Sequence, residues 1–502
     1  MKAPWGIHWF RRDLRIVGNT ALQENLNQTQ GRTVALFCFD SKFLARSDFS
    51  HNRFAFFLQT LRALKEDLKQ RGGDLLVINC IVQEAFPRLL NYWKRKAIAA
   101  PSLVTWGRDY EPFARARDAQ IEKILKDFGI AAHHYRDHLL FEPHEILKNQ
   151  HPERFYQVYT PYSKKWLDAL KSPTGRERIR IGTRDQHHAV KNDRAPHLFK
   201  MRWANLRKSD FPFADALEKF IRDNHKHVTV SIPEAGYSAA NEKLRQFKSR
   251  IARYHEDRNL PALEGTSGLS PYFKNGSLTG SQAISFLRLS NLHCETEDGP
   301  STFLKELIWR EFYYSILYHK PEVEHQSFLP QYENLVWKNN RSWFRRWKEG
   351  TTGFPIVDAG MRELVTTGRM HNRVRMIVAS FLTKDLLIDW RWGENYFMKQ
   401  LLDGDLAANN GGWQWAASTG CDPQPYFRIF NPWLQSRKYD PQGKYIKTFL
   451  PELREAPVEV LHQATADRSQ WHYPSPIVNH VVQADHAIHF YKQTARASKR
   501  IY

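Results

Sequence analysis

The first third of the chain alternates short apolar runs with segments of helical periodicity. The runs have the length of buried strands and lie at 7–10, 33–39, 74–79 and 103–106. One intervening segment places four apolar side chains on a single helix face, at Phe57, Leu61, Leu64 and Leu68. A further helix is predicted over 116–128. Strands that alternate with helices predict a parallel, doubly wound sheet with a crevice at the strand ends.

The pattern changes after residue 135. Residues 136–232 lose the alternation and gain proline, histidine and charge, which predicts a long connector with short helices. From residue 233 to 502, helical patterns dominate and are interrupted by glycine and proline loops. The predicted fold class is therefore α/β plus all-α, with an N-terminal sheet domain over 1–135, a linker over 136–232 and a C-terminal helical domain over 233–502.

Charge narrows the choice of partner. The 502 residues include 74 Lys and Arg against 53 Asp and Glu, a net charge of +21. Such an excess favours a polyanionic partner, nucleic acid before a membrane, and a merely soluble basic surface is the alternative. No apolar stretch predicts a membrane span or a signal peptide, so the cytoplasm is the predicted compartment.

Two classes of site lack support in the sequence. The four cysteines, Cys38, Cys80, Cys294 and Cys421, show neither metal-ligand spacing nor a disulfide framework, and no metal site is predicted. They fit a reducing compartment. No Gly-x-Gly-x-x-Gly follows the first strand, which disfavours a nicotinamide site.

The stretch 403–420 mixes carboxylates, amides, two tryptophans and small residues. It is too polar for a core and too apolar for a surface, a mixture typical of a lined pocket. Its glycines allow close backbone approach, its amides both donate and accept hydrogen bonds, and Trp413 and Trp415 offer flat, polarisable faces. Taken alone, 409–412 would predict a loop that ends a helix.

This stretch, followed by Pro425-Tyr-Phe-Arg-Ile-Phe-Asn-Pro432, resembles the flavin-binding signature of the photolyase and cryptochrome family, in particular the class I cyclobutane pyrimidine dimer photolyases. The opening Trp9-Phe-Arg-Arg-Asp-Leu-Arg15 resembles the same family. The resemblance implies an antenna-chromophore domain followed by a FAD-binding catalytic domain. It also implies a deoxyribodipyrimidine photo-lyase, which repairs cyclobutane pyrimidine dimers by light-driven electron transfer from reduced FAD to the flipped-out lesion.

The resemblance assigns the cofactor site. Hydroxyls and N–H groups of the segment 266–270 suit phosphate oxygens. Arg375 pairs with Asp403 beside the flavin, and Asn409 tunes the flavin's reduced states. Gly268 stands where many relatives carry a larger, often basic residue. The cofactor set is Tyr254, Thr266, Ser267, Gly268, Leu269, Ser270, Phe303, Glu306, Arg375, Asp403, Gly404, Asp405 and Asn409.

By the same resemblance, Glu306 hydrogen-bonds the damaged base and Trp309, one helix turn away, stacks against it. Without the resemblance, Glu306 would be a surface acid and Trp309 part of the core. The substrate and DNA set is Arg258, Trp309, Arg310, Asn372, Arg373, Met376, Trp415 and Gln435. Three tryptophans match a chain that conducts electrons from the surface to oxidised flavin. The catalytic set is Glu306, Asn409, Trp413, Trp390 and Trp337.

The second chromophore is assigned from the segment Asp109-Tyr-Glu-Pro-Phe-Ala-Arg-Ala-Arg-Asp118. It resembles the pattern of deazaflavin-binding members more than that of folate-binding members, whose Cys-Lys pair is missing near 322–325. We therefore expect a deazaflavin antenna rather than methenyltetrahydrofolate. An altered or empty pocket is the alternative.

Two other functions stay open. A cryptochrome, which is a blue-light photoreceptor that signals without repairing DNA, has the same fold. The intact dimer-contact residues and the short tail over 492–502 disfavour this function. A basic nucleic-acid-binding module without catalysis would make the flavin signature accidental. The photolyase interpretation itself predicts a monomer whose partner is UV-damaged DNA.

Overall fold

The computed structural model describes residues 4–151, 154–183, 217–292 and 296–498. Its N-terminal part is a five-stranded parallel sheet in the order β3-β2-β1-β4-β5. The strands are β1 (Gly6–Phe10), β2 (Thr33–Phe39), β3 (Leu75–Asn79), β4 (Leu103–Gly107) and β5 (Ala131–Tyr135). The helices that connect them are α1 (Thr20–Gln28), α2 (Ser41–Leu44), α3 (His51–Gln70), α4 (Val82–Arg95) and α5 (Pro112–Asp127).

Both faces of this sheet are covered, which confirms the predicted doubly wound architecture. Along β2, Val34 and Leu36 point into the core that contains α4, whereas the alternate residues Ala35 and Phe37 point into the core that contains α3. A strand buried on both faces has no polar side, and this is why the inner strands are visible as continuous apolar runs. The sequence does not predict β5, because this edge strand, Ala-Ala-His-His-Tyr, is largely exposed and carries no apolar run.

Helices make up most of the rest of the described chain. The segment after the sheet contains α6 (Tyr159–Lys171), α7 (Pro173–Gly182) and α8 (Leu217–His225). The helices that follow are α9 (Tyr237–Lys248), α10 (Tyr254–Asp257), α11 (Ser270–Asn275), α12 (Gly280–Phe286), α13 (Gly299–His319), α14 (Arg341–Glu349), α15 (Pro355–Thr367), α16 (Asn372–Ser380), α17 (Trp390–Gln400), α18 (Leu406–Ala416), α19 (Pro432–Tyr439), α20 (Lys444–Phe449), α21 (Val458–Leu461) and α22 (His480–Ser498). A π-helical turn, Phe381–Asp385, follows α16.

The helical region confirms the predicted change of pattern, while the domain boundaries at 135 and 232 stay predictions. Residues 184–216 of the predicted linker and Cys294 lie outside the described residues. The described part of the predicted linker is packed tightly, because Tyr162 and Trp166 of α6 lie in one core with Phe312 of α13. None of the helices within the described ranges is long and apolar enough to cross a membrane.

The segment 409–412 is not the helix-ending loop that it would predict when taken alone. It lies inside α18, although it contains two consecutive glycines. A Cβ at Gly411 would overlap the ring of Tyr313, so this glycine lets α13 approach α18 closely. The two helices that carry the predicted lesion and flavin residues are thereby packed against each other.

Candidate functional site

One face of α18 lies open although the helix is otherwise surrounded by core. Ala408 and Gly412, one turn apart, are exposed. Asn409 lies between them in the sequence and Trp415 follows them, and both are half-buried. A Cβ at Gly412 would have no neighbour within 4 Å. The opposite face is fully packed, with Trp413 only 2% exposed. Small side chains on an exposed strip of an interior helix leave room for a flat ligand.

An ion pair lies next to this helix. Arg375 of α16 contacts Asp403 through Nη2 at 2.9 and 3.1 Å, and the hydroxyl of Ser270 donates to the same carboxylate at 2.7 Å. Burial by itself would raise the pKa of Asp403, but Arg375 and Ser270 outweigh it and hold the pKa below its ordinary value. The predicted pairing of Arg375 with Asp403 is present, and it brings the segment 266–270 to the same place.

Not every predicted cofactor residue faces the open strip. The side chains of Leu269 and Phe303 are buried in the core, the latter against Tyr254 at a ring separation of 5.5 Å. Only the main chain of Leu269 can therefore face a ligand. Gly404 lies against the guanidinium of Arg53, with which a Cβ would overlap, so its lack of a side chain makes room for an arginine of α3.

Asp405 connects the sheet to the helical region. Its carboxylate contacts Arg12 at 2.9 Å, the hydroxyl of Tyr314 at 2.5 Å and Lys274 at 3.6 Å. It also caps α18 by accepting a hydrogen bond from the N–H of Ala408 at 3.3 Å. Burial opposes ionisation of Asp405, but Lys274 and Arg12 hold its pKa well below the usual range. The motif 9–15, which begins in β1 and contains Arg12, thus fixes the N-terminus of α18.

The predicted lesion residues of α13 have partners from other elements. Arg258 Nη1 donates to Glu306 Oε1 at 2.6 Å, and its guanidinium lies over the ring of Tyr254 at 5.4 Å. Trp309 is stacked on Tyr159 of α6, with the ring centroids 3.7 Å apart and the planes within 2° of parallel. The acid and the aromatic ring that the sequence places one turn apart are each held by a neighbour.

A second group of predicted DNA contacts begins at the N-terminus of α16. Asn372 is exposed there, and Arg373 donates to Asn259 at 2.7 Å and lies 3.7 Å from the sulfur of Met376. Burial and then the charges of Arg373 and Arg258 lower the pKa of His371 to about 4, so this imidazole is neutral near pH 7. Arg373 and Arg258 also place two positive charges beside Glu306.

Arg310 and Gln435 are less closely connected to these residues. Arg310 donates to the main-chain oxygen of His138 at 3.0 Å and lies over Tyr314 at 5.1 Å, so that its charge points toward the segment that follows the sheet. Gln435 of α19 is half-buried, and its Oε1 has no hydrogen-bond partner among the described residues. Their assignments to DNA stay predictions.

The three tryptophans of the predicted electron chain differ in exposure. Trp413 and Trp390 are buried, at 2% and 0% exposure, whereas Trp337 is half-buried and packs against Phe490 at 5.5 Å. A chain that leads from the interior to the surface requires this gradient. The assignment of these tryptophans to electron transfer stays a prediction.

Two residues beside the site were not predicted from the sequence. Tyr159 belongs to a segment with no predicted chemistry, yet it stacks on Trp309 and donates from its hydroxyl to the main-chain oxygen of Lys305 at 2.9 Å. Glu394 of α17 accepts a hydrogen bond from Asn410 at 3.0 Å, and its main-chain oxygen accepts one from Asn409 at 3.1 Å. The contacts of Tyr159 join α6 to α13 and those of Glu394 join α17 to α18, and no pattern within one element signals them.

Glu394 makes a pH-dependent contribution to stability. Burial raises its pKa to about 8, so the folded protein retains a proton that the unfolded chain releases near pH 4.5. The folded state therefore loses stability as the pH rises between these values. We expect wild-type protein to lose up to about 1.4 kcal/mol per pH unit relative to Glu394→Gln over this range. Denaturant unfolding at several pH values measures the difference, with the exposed Glu349→Gln as the control, and parallel curves for wild type and Glu394→Gln would contradict it.

Comparisons with known proteins show which family the chain is similar to. A family model described as DNA photolyase matches residues 6–178, and one described as FAD binding domain of DNA photolyase matches residues 303–493. The chain is 39% identical to a deoxyribodipyrimidine photo-lyase from Synechococcus over 96% of this chain and 94% of that protein. It is similar to the crystal structure of a bacterial class III photolyase from Agrobacterium tumefaciens, with a TM-score of 0.80 and 30% identity over 99% of this chain and 98% of the other. It is also similar to a Synechocystis cryptochrome, with a TM-score of 0.78 and 26% identity over 97% of this chain and 99% of the other.

Proposed function

Because this chain belongs to the DNA photolyase family, we propose that it repairs cyclobutane pyrimidine dimers in DNA in a light-driven reaction. One observation carries the proposal. The helix that presents Glu306 and Trp309 packs directly on the helix whose open face carries Asn409. An acid, a stacking surface and a space for a flat cofactor therefore lie together.

FAD fits the residues that surround the open strip of α18. The small residues leave the room, and the Arg375–Asp403 pair with Asn409 provides polar groups beside it. In this proposal these three side chains hold the flavin ring, and the segment 266–270 holds the phosphates through hydroxyl and N–H groups. Bound reduced FAD supplies, once excited by light, the electron that splits the cyclobutane ring, which is chemistry that no side chain offers.

The protein's own side chains bind and orient the lesion. Glu306 accepts a hydrogen bond from an N–H of the damaged base, and Arg258 keeps its carboxylate in position. Trp309, whose one face is stacked on Tyr159, offers its other flat face for stacking on the lesion. Arg373 and the net charge of +21 attract the phosphate backbone, so DNA affinity falls as salt increases.

Replacing Glu306 by alanine is expected to lower repair several-fold per absorbed photon while FAD stays bound. The side chain stabilises charge that develops on the dimer, but it is not the source of the electron. Quantum yields from a defined dimer-containing oligonucleotide measure the effect. The matched control is Glu256→Ala, which removes an exposed acid from the neighbouring α10 and should leave the yield unchanged. Equal repair per photon in Glu306→Ala would refute the role.

A cryptochrome-type photoreceptor without repair activity is the second candidate. The likeness to the Synechocystis cryptochrome favours it, because one fold hosts both functions. The presence of Glu306, Trp309, Asn372 and Met376 together favours repair, since a signalling flavoprotein has no need of a lesion site. Lesion repair by the reduced protein discriminates the two.

The second chromophore is proposed to be a deazaflavin. The pattern of 109–118 supports this choice, and two cations lie near the carboxyl end of β1, against the buried ring of Trp9. The guanidinium groups of Arg11 and Arg117 lie 4.8 and 5.1 Å from the ring of Trp9, and Arg11 is paired with Asp118.

We further propose a monomer that acts in the cytoplasm, with an antenna domain over 1–135 and a catalytic domain over 233–502.

A further inference from the structure

The segment proposed to hold the FAD phosphates contains no charged side chain. Its sequence, Thr-Ser-Gly-Leu-Ser over 266–270, offers only hydroxyl and main-chain groups. The pyrophosphate of FAD carries negative charge, and such groups bind most strongly where a cation is present. Arg375 lies close to this segment, since it and Ser270 both contact Asp403, but its charge is balanced by Asp403 at 2.9 Å. An additional positive charge for the phosphates would come from another part of the chain.

A lysine from another helix reaches this segment at Gly268. The φ of Gly268, +65°, lies in the left-handed region, which favours glycine, and the residue has no side chain to cover the segment. The space is not empty, because the Cε atom of Lys243 lies 2.9 Å from the position that a Cβ on Gly268 would take. The Nζ atom lies 3.9 Å from the same point. The lysine side chain thus runs across the segment at its single glycine, and a larger residue at 268 would displace it.

Helix α9 fixes the backbone position of Lys243. Leu244 and Phe247 are buried, and Phe247 packs against Phe303 and Tyr254, which lie next to the proposed cofactor site. Lys243 is half-buried on the side of the helix that faces the segment. Within the described ranges, no carboxylate forms an ion pair with it, and the adjacent Glu242 is paired with Arg245 at 3.0 Å. Its charge is therefore available to an anion.

We propose that Lys243 supplies the positive charge that faces the FAD pyrophosphate at Gly268. The inference rests on the proposed FAD site and adds a residue from a separate helix to it. Lys243 acts through charge, so its contribution is greatest at low ionic strength and is screened by salt. Gly268 and Lys243 form one unit, since the missing side chain of the first makes the path for the second.

Titration of FAD into apoprotein at low and high salt, followed by flavin fluorescence, tests the proposal. Lys243→Gln is expected to raise the FAD dissociation constant about tenfold at low salt, in line with one lost charge-assisted hydrogen bond. The difference should shrink at high salt, and Lys243→Arg should bind FAD like wild type. Lys248→Gln is the matched control, because Lys248 lies on the same helix but is directed over Phe286 at 4.9 Å.

The outcomes separate this inference from the proposed function. Wild-type apoprotein that binds no FAD would overturn both. Wild-type binding with an unchanged dissociation constant in Lys243→Gln would overturn only the role of Lys243. An equal loss in Lys248→Gln, or a loss in Lys243→Gln that does not depend on salt, would also overturn it, because a change in helix packing would then be the cause.

Discussion

Replacing Asp405 by asparagine is expected to lower the free energy of unfolding by about 3 kcal/mol, because a buried, ion-paired carboxylate is removed while its cations remain. Arg12 and Lys274 retain Glu111 as a partner, at 2.7 and 3.2 Å, so the loss stays at the lower end for a broken buried pair. Asparagine keeps the cap of α18. Asp405→Ala removes the cap as well and should cost about 1 kcal/mol more. Denaturant unfolding followed by far-UV circular dichroism measures both.

Asp389 provides the matched control for this prediction. It caps α17 by accepting from the N–H of Arg391 at 3.0 Å, but its ion pair with Arg391 is partly exposed. Asp389→Ala should therefore cost only about 1 kcal/mol, the value of a cap. The stabilisation from Asp405 is present above the ordinary aspartate pKa and is lost as the pH falls below it, because burial is outweighed by cations that lower its pKa. Equal losses for Asp405→Asn and Asp389→Ala would refute the buried network as the source of the effect.

Replacing Trp337 by phenylalanine is expected to abolish light-driven reduction of the oxidised protein, while repair by protein already reduced chemically stays unchanged. Trp337 is the half-buried member of the three tryptophans, and Trp413 and Trp390 lie in the core. Phenylalanine keeps the aromatic packing against Phe490. It does not offer the electron-rich indole at the surface end. Absorbance of the flavin during illumination with an external reductant measures the reduction.

Trp343→Phe is the control for this experiment. Trp343 is also half-buried and packs against the same core, but it has no place in the predicted chain. It should leave both photoreduction and repair intact. Photoreduction that survives in Trp337→Phe would show that another aromatic residue provides the exit.

The sequence predicted those parts of the fold in which burial is uniform along an element. The strands β1 to β4 are buried on both faces, so their apolar runs identify them. The edge strand β5 has no such run. The segment 409–412 was ambiguous, because glycines predict a turn when the neighbouring helix is unknown. Only the close approach of Tyr313 explains why Gly411 lies within a helix.

The family signature predicted which residues form a site but could not show which way each side chain points. Arg375 and Asp403 are paired as predicted. Leu269 and Phe303, which belong to the same predicted set, have their side chains in the core. Local spacing determines which residues share an element, whereas the direction of a side chain depends on packing between distant segments. The contacts of Tyr159 with Trp309 and of Lys243 with Gly268 have the same origin, and neither has a signal in the local sequence.

The most direct test of the central claim is illumination of the chemically reduced protein with an oligonucleotide that carries one thymine cyclobutane dimer, followed by chromatography for restored thymines against a dark control. We predict restoration that requires light and that falls in Glu306→Ala. A flavin-containing protein that binds or ignores the lesion without restoring thymines, in light or in darkness, would contradict the assignment as a repair enzyme and favour the photoreceptor.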